Sequence, residues 1–151
     1  NVDYVDFYQA DNPGSTAQSL QQLKDLVQRH PGQHAAMIFE LIQGEGGFNV
    51  GDSSFFKELM GYLNDHDIPI IADEVQTFGH TTECFAYQYF GLENFVDIVS
   101  VGKLSQTCAT LYKKRFKPKA GLLSQTFTSS TVAIEASKTI LQKLKQGNYF
   151  K

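Results

Sequence analysis

The chain has 151 residues, of which 42% are hydrophobic, 13% aromatic and 19% charged, and its formal net charge is −3. This composition indicates one globular domain with a hydrophobic core. The weakly acidic balance gives no electrostatic reason to bind nucleic acid or an anionic membrane, and no apolar run approaches the ~20 residues of a membrane-spanning helix. The spacing of Cys84 and Cys108 fits neither a metal site nor a disulfide framework, so we predict no metal and a cytoplasmic setting.

Apolar residues at helical spacing alternate along the chain with short continuous apolar runs. The periodic segments predict amphipathic helices, and the runs predict buried strands. In chain order, the expected elements are a helix from Ser15 or Thr16 to about His30, a strand at 35–41, a helix from Asp52 or Ser53, a strand at 68–72, a short helix at 84–90, a strand at 96–101, an antiparallel or edge strand at 108–112, and a helix capped by Ser129 or Ser130. This alternation predicts an α/β domain with a mostly parallel sheet and flanking helices.

A run of basic residues lies between positions 113 and 119. Its members are Lys113, Lys114, Arg115, Lys117 and Lys119. Because the run is short and is broken by an aromatic residue and a proline, we interpret it as a solvated loop in preference to an anion site.

Three polar segments follow the predicted parallel strands. The first strand ends near Glu40 and leads into the loop at 43–47, the second ends at Asp73, and the third leads to Lys103. Ligands of open α/β sheets bind outside the carboxyl ends of the strands. We therefore expect these side chains to converge on one crevice.

The segment Asp73-Glu74-Val75-Gln76 continues the second strand. Strand alternation places Asp73 and Val75 on one face, with Glu74 and Gln76 on the other. A carboxylate beside an apolar side chain suits a flat heteroaromatic ring with a protonated nitrogen. The alternative is a strand-end acid that pairs with a lysine or caps a helix.

Lys103 follows the third strand and Gly102, 30 residues after Asp73. An apolar crevice would favour the neutral amine that Schiff-base chemistry requires, and Gly102 would let the backbone approach a cofactor. A lone lysine after a strand is more often a surface residue. A strand-end aspartate together with a strand-end lysine, however, is the pair that a pyridoxal-phosphate site requires.

Four segments in this order and spacing resemble the class III (omega-amino-acid type) aminotransferases, which are pyridoxal-phosphate enzymes of fold type I. They are FELIQGEGGFNVGDSSFFKEL, IPIIADEVQTFGHT, VDIVSVGK and SQTFTSST. The resemblance covers roughly residues 35–145, and the run GKLSQTC is most similar to the lysine epsilon-aminotransferase and 4-aminobutyrate aminotransferase branch. It implies transfer of an amino group from an omega-amino acid or lysine-like donor to a keto acid, with 2-oxoglutarate expected.

The resemblance also implies roles for the residues that bind the cofactor. Lys103 would bind pyridoxal phosphate as a Schiff base and then move a proton between substrate and cofactor. Asp73 would keep the ring nitrogen protonated, Val75 would pack against the ring, and Gln76 would donate to its phenolic oxygen. Thr126 would contact the phosphate held by the neighbouring subunit, which implies a homodimer.

Around the substrate, the resemblance places Glu45 at the mouth of the site, with Glu40 as a supporting acid. Two loops depart from the usual family pattern. His80 stands where the family commonly has arginine, and the segment 126–131 lacks the family's glycine, asparagine and proline.

Family members are longer, so we expect residues 1–151 to form part of the large, cofactor-binding domain, without the upstream phosphate loop and the C-terminal small domain. We therefore expect the chain alone to be an incompetent transaminase that exposes apolar surface and associates. Two alternatives remain open. One is another pyridoxal-phosphate reaction, such as that of a mutase or a decarboxylase. The other is a non-catalytic domain that acts through self-association, although retention of Asp73 and Lys103 argues against it.

Overall fold

A computed structural model describes residues 2–123, 130–147 and 149. The elements in chain order are α1 (Ser15–Arg29), β1 (Met37–Phe39), α2 (Ser53–Asp65), β2 (Ile70–Asp73), α3 (Ala86–Tyr89), β3 (Ile98–Val101), β4 (Ala109–Tyr112) and α4 (Thr131–Gln146), with short 3-10 helices at Lys103–Ser105 and Lys114–Phe116. This order of helices and strands confirms the order predicted from the sequence. None of the helices in the described ranges has the length and hydropathy needed to cross a bilayer.

The described strands form one sheet in the order β1-β2-β3-β4. The first three strands are parallel, and β4 pairs with β3 in the antiparallel direction. The mostly parallel α/β sheet is therefore confirmed, as is the antiparallel edge strand. Because β1, β2 and β3 run the same way, their carboxyl ends lie along one edge of the sheet, which we call the carboxyl edge. The opposite edge, where β2 and β3 begin, is the amino edge.

The core lies between the sheet and the apolar face of α2. Five residues of this helix are buried: Phe55, Phe56, Leu59, Met60 and Leu63. They pack with Phe39, Ile70 and Ala72 of the sheet in a single hydrophobic cluster. Burial of each such side chain contributes roughly 1.5–3 kcal/mol, so this layer fixes the position of the sheet.

Helix α2 begins as the sequence predicts, with Asp52 as its N-cap. Asp52 Oδ1 accepts hydrogen bonds from the backbone N–H of Ser54 at 2.8 Å and of Phe55 at 3.3 Å, and also from the Ser54 hydroxyl. The Ser54 hydroxyl, followed by the backbone donors, lowers the pKa of Asp52, although partial burial opposes this effect. The cap therefore functions as a carboxylate.

The N-terminus of α1 differs from the prediction that Ser15 or Thr16 caps this helix. Gly14 is the N-cap, and Ser15 is the first helical residue. The Ser15 hydroxyl donates to the carbonyl of Gln9 at 3.2 Å and accepts from its N–H at 3.3 Å. The hydroxyl is therefore used to hold the preceding segment, and neither Ser15 nor Thr16 caps the helix.

Strand β1 is shorter and less buried than the apolar run at 35–41 predicts. Phe39 is 4% exposed, whereas its neighbour Ile38 is 63% exposed. The reason is that β1 is the outermost strand of the sheet. Its successive side chains point to opposite faces of the sheet, and the described residues cover only one of these faces at β1. The expectation that the whole run is buried is wrong.

At the amino edge, Asp97 is 4% exposed and directly precedes β3. Its Oδ1 pairs with Lys113 Nζ at 3.3 Å and Arg115 Nη2 at 2.9 Å, and its Oδ2 accepts from the N–H of Ile70 at 3.2 Å. Two members of the basic run are thus partners of a buried acid. The basic residues of the run are all exposed, as the interpretation of a solvated loop expects, and Lys113 and Arg115 in addition pair with this acid.

Helix α4 packs against the 3-10 helix at Lys103–Ser105. Its N-cap is Ser130, whose hydroxyl accepts from the N–H of Ala133 at 3.1 Å, whereas Ser129 lies outside the described residues. Leu144 packs partly against the core, but Val132 is 80% exposed.

Candidate active site

The carboxyl edge is formed where β2 and β3 end side by side. Asp73 is opposite Ser100 in the register, and the N–H of Glu74 donates to the carbonyl of Ser100 at 2.9 Å. The chain then turns, and the N–H of Phe78 donates to the carbonyl of Glu74 at 3.0 Å. Strand alternation therefore ends at Asp73, so the predicted assignment of residues 74–76 to alternate faces is wrong.

The carboxylate of Asp73 is half-buried, and only one of its oxygens has donors. Asp73 Oδ1 accepts from the N–H of Val75 and from the hydroxyl of Ser100, both at 3.0 Å. Within residues 2–123 and 130–147, Oδ2 accepts no hydrogen bond, and the carboxylate pairs with no lysine or arginine. These two donors fix the orientation of the carboxylate and leave Oδ2 able to accept a hydrogen bond from a ligand.

Lys103 lies at the end of β3, but its side chain is exposed. The described residues therefore do not enclose the lysine in the apolar surroundings that would favour its neutral amine, and its Schiff-base role stays a prediction. Lys103 Nζ donates to Gln76 Oε1. The lysine has a φ of +49°, a left-handed conformation that costs a residue with a side chain roughly 1 kcal/mol or more.

Gln76 also contacts the loop that follows β1. A Cβ added at Gly44 would lie 2.8 Å from Gln76 Cδ, so only glycine fits in this position without movement of the glutamine. The N–H of Gly44 donates to Glu40 Oε2 at 3.1 Å. Segments from the ends of all three parallel strands thus meet at the carboxyl edge: Glu40 and Gly44, then Gln76, then Lys103.

Val75 packs beside the backbone of Gly102. A Cβ added at Gly102 would lie 3.4 Å from Val75 Cγ1 and 3.2 Å from Cys108 Sγ. The space that a Cβ at this glycine would need is therefore taken by two side chains. Gly102 allows β3 to pack closely against the turn after β2, and the approach of a cofactor to its backbone stays a prediction.

An open cleft of about 620 Å³ lies beside Lys103. Its lining residues carry amide, hydroxyl, imidazole, ammonium and apolar groups: Ile42, Phe48, Gln76, Thr77, His80, Thr81, Lys103, Leu104 and Gln106. No carboxylate is among these residues in the described part of the chain. The cleft is therefore electrostatically suited to an anionic ligand.

One predicted site residue, Glu45, is not among the residues that line this cleft. Glu45 is exposed in the loop after β1 and makes no hydrogen bond or ion pair with the described residues. Thr126 lies outside the described residues. The structure thus joins Gln76 with Lys103, and Asp73 with Val75.

Glu74 is a site residue to which the sequence interpretation assigned no role. Its side chain is completely buried. Two features of the sequence could have indicated this role. An acidic residue directly after a buried strand needs hydrogen-bond partners, and a hydroxyl group lies three residues later, on Thr77.

The charge of Glu74 also affects its neighbours. Burial raises the pKa of the Cys84 thiol and of the Tyr87 phenol, and the negative charge of Glu74 is the next cause of the rise for both groups.

Comparison with known proteins agrees with this geometry. Residues 2–151 match the family model "Aminotransferase class-III". The chain is 33% identical over 114 residues to the mitochondrial 4-aminobutyrate aminotransferase of Rattus norvegicus, covering 73% of the chain and 23% of the relative. It is 32% identical over 136 residues to the acetylornithine aminotransferase of Prochlorococcus marinus, covering 86% and 32%.

Among solved structures, a lysine aminotransferase from M. tuberculosis superimposes with a TM-score of 0.83 at 25% identity, over 95% of this chain and 36% of that protein. The chain therefore spans between about a quarter and a third of the length of the curated relatives named above. Sequence match and fold agree, and we conclude that the chain belongs to the class-III aminotransferases.

Proposed function

We propose that the carboxyl edge is the cofactor site of a pyridoxal-phosphate-dependent aminotransferase. The observation that supports this best is the contact between Lys103 Nζ and Gln76 Oε1, at the same edge of the sheet as Asp73, whose Oδ2 accepts no hydrogen bond from the described residues. Membership of the class-III family adds a reaction class, the transfer of an amino group. The same proposal includes a homodimer that acts in the cytoplasm.

The donor and acceptor groups at this edge fit the chemistry of pyridoxal phosphate. Asp73 Oδ2 would accept a hydrogen bond from the protonated ring nitrogen, and Val75 would pack against the ring. Because Gln76 Oε1 faces Lys103, its amide nitrogen can donate to the phenolic oxygen. Lys103 Nζ would bond to the aldehyde carbon, and Thr126 is proposed to contact the phosphate. When bound, pyridoxal phosphate supplies an electron sink for the electron pair of a broken C–H bond.

Lys103 is the proton carrier in this proposal. With the substrate amine in place, Lys103 Nζ would take the proton from the substrate carbon that bears this amine and return it to the former aldehyde carbon of the cofactor, on the other side of the amine nitrogen. Gln76 would keep the lysine amine within reach by accepting its hydrogen bond. The carboxylate of Asp73 would stabilise the positive charge on the ring nitrogen.

The proposed donor is an omega-amino acid or a lysine-like amine, and the proposed acceptor is a keto acid such as 2-oxoglutarate. The relatives named above act on 4-aminobutyrate, acetylornithine and lysine by their names. The described residues that line the cleft include Lys103 and His80 but no carboxylate, which suits the carboxylate that such substrates share. Glu45 is proposed to stand at the mouth of this cleft.

The cofactor claim is tested by titrating the chain with pyridoxal phosphate and following the Schiff-base absorption band. We expect a saturable band in the wild type and in Lys57→Ala, which removes an exposed lysine from α2. We expect no such band in Lys103→Ala. An equal band in the Lys103 variant would show that surface amines account for it and would contradict the assignment.

The transfer claim is tested separately. A cofactor-loaded protein is given 4-aminobutyrate, acetylornithine or lysine together with 2-oxoglutarate, and formation of glutamate is measured. Because the chain spans only about a quarter to a third of its relatives' length, we expect no glutamate from these 151 residues alone, and glutamate with at least one donor from a protein that joins them to the rest of the family's length. A bound cofactor without glutamate, but with loss of carbon dioxide or an isomerised amine, would favour a decarboxylase or mutase.

A further inference from the structure

Glu74 brings a negative charge into the protein interior and balances it with hydrogen-bond donors alone. Its side chain is completely buried. Glu74 Oε2 accepts from the Thr77 hydroxyl and from the N–H of Ala86, and Oε1 accepts from the N–H of Tyr87, each at 2.8 Å. Among the described residues, no lysine or arginine pairs with it. Charge-assisted hydrogen bonds of this kind are about twice as strong as neutral ones.

These hydrogen bonds tie together two segments that are far apart in sequence. Ala86 and Tyr87 open α3, 12 and 13 residues after Glu74. The backbone of Glu74 is fixed as well, because its N–H donates to Ser100 and its carbonyl accepts from Phe78. The turn that follows, which carries Val75 and Gln76, is therefore anchored through both the backbone and the side chain of Glu74.

We propose that Glu74 is a positioning residue: its buried carboxylate locks the turn after β2 onto α3 and so holds Gln76 against Lys103. The inference rests on the proposed function only for the claim that Gln76 and Lys103 face a cofactor. Glu74 itself is completely buried and is not one of the residues that line the cleft. It acts through Gln76 and takes no part in the proton transfer.

The site requires a carboxylate, and an amide of the same shape does not satisfy it. Both backbone partners, Ala86 and Tyr87, are donors, and they lie on different oxygens of Glu74. A glutamine at this position would place its NH₂ group against one of those N–H groups in either orientation. That mismatch leaves buried donors unpaired, which explains why an acid rather than an amide precedes Val75.

The test compares Glu74→Gln with Asp97→Asn, which alters an equally buried carboxylate at the amino edge. The first readout, taken without cofactor, is the NMR signal of the Gln76 side-chain amide. The second is the affinity for pyridoxal phosphate from the absorption titration. We expect both variants to lose stability. We expect only Glu74→Gln to shift the Gln76 signal and to weaken cofactor binding, by at least tenfold. Equal behaviour of the two variants in the Gln76 signal would overturn the proposal.

A milder pair keeps the test decisive if Glu74→Gln does not fold. Thr77→Val removes the side-chain donor to Glu74 but leaves both backbone donors, whereas Thr77→Ser keeps the hydroxyl. We expect the valine variant to shift the Gln76 amide signal and the serine variant to retain the wild-type signal. Identical signals in the two variants would contradict the proposal. A shift in Gln76 in a protein that binds no cofactor would support the positioning role while rejecting the proposed function.

Discussion

At the amino edge of the sheet, the carboxylate of Asp97 is buried and both of its oxygens are occupied, by a backbone N–H, a lysine and an arginine. At the carboxyl edge, Asp73 keeps one oxygen without a donor among the described residues, and Lys103 is exposed. The two edges belong to the same strands, yet only at the amino edge do both carboxylate oxygens of the aspartate have partners within the described residues. Polar groups that stabilise a fold are paired within it, whereas groups that meet a ligand are left available.

Backbone geometry shows the same difference. Lys103 is the first residue of the short 3-10 helix at the carboxyl edge, and Gln106 directly follows that helix; their φ values are +49° and +57°. Residues with a Cβ adopt this conformation only when the surrounding structure imposes it, and such positions cluster at functional sites. Asp97 and its partners have no positive φ. At the carboxyl edge a positive φ thus falls on the candidate site lysine itself, whereas at the amino edge it falls on Asp67 (+53°), which is not among the ion-pair partners of Asp97.

The largest expected effect on stability comes from the amino edge. Asp97→Ala should lower the free energy of unfolding by about 3 kcal/mol, because it leaves the buried N–H of Ile70 unpaired and removes charged hydrogen bonds. Urea unfolding monitored by circular dichroism measures this. Lys113→Ala is the matched control. Since the Lys113 side chain is 45% exposed, its loss should cost less than about 1 kcal/mol. Equal losses would contradict the account of this edge.

Asp73→Asn is expected to change cofactor affinity while it leaves stability nearly unchanged. The asparagine oxygen can still accept from Val75 and Ser100, so the free energy of unfolding should stay within about 1 kcal/mol of the wild type. Loss of the negative charge opposite the ring nitrogen should weaken pyridoxal-phosphate binding by roughly tenfold or more, equivalent to about 1.4 kcal/mol. Absorption titration and urea unfolding give the two values. A variant that loses stability but keeps its affinity for pyridoxal phosphate would contradict this account, because Asp73 would then stabilise the fold and not bind the cofactor.

Gly44→Ala should sharpen the comparison through Gln76. The new Cβ would stand 2.8 Å from Gln76 Cδ, and the atoms that must move belong to a flexible side chain. We therefore expect a stability change of about 1 kcal/mol or less, together with a shift in the Gln76 amide signal. Gly61→Ala, at a site where an added Cβ meets nothing within 4 Å, is the control. An unchanged Gln76 signal in the Gly44 variant would contradict the described contact.

The last prediction concerns a carboxylate whose partners lie within its own helix cap. The folded-state pKa of Asp52 is lowered, so its contribution is present above the unfolded pKa of about 3.9 and is lost as pH falls through the folded pKa. Asp52→Ala should cost about 1 kcal/mol at pH 7 and progressively less below about pH 4. Asp52→Asn keeps a side-chain oxygen that can accept these hydrogen bonds but removes the titrating carboxyl group. The contribution of the asparagine cap to the free energy of unfolding should therefore not follow this pH profile. Urea midpoints at pH 7 and pH 3 measure both variants.

The parts of the fold that were predictable depend on local chemistry. Asp52 lies directly before an amphipathic segment, and its side chain reaches only the next three residues. The antiparallel edge strand follows a parallel strand after a short connection, which leaves little room for a crossover. The Ser15 cap failed because Asn12 Oδ1 accepts from the N–H of Gly14 and so shapes the turn one residue earlier.

The parts that were not predictable depend on contacts between distant segments. Glu74 finds its donors 12 and 13 residues later, and Asp97 finds its cations 16 and 18 residues later. The exposure of Lys103 depends on which elements cover the end of β3, and no local pattern reports that. The identity of Asp73, Gln76 and Lys103 as candidates came from strand-end position and family resemblance, whereas their hydrogen bonds required coordinates.

The measurement that tests the central claim most directly is borohydride reduction of the chain in the presence of pyridoxal phosphate, followed by peptide mapping. Reduction fixes the cofactor on whichever amine holds it. The account predicts that the label is concentrated on the peptide containing Lys103 and that the yield falls sharply in Asp73→Asn. Label spread evenly over Lys57, Lys113 and the other exposed lysines, with no dependence on Asp73, would contradict the claim that the carboxyl edge is a cofactor site.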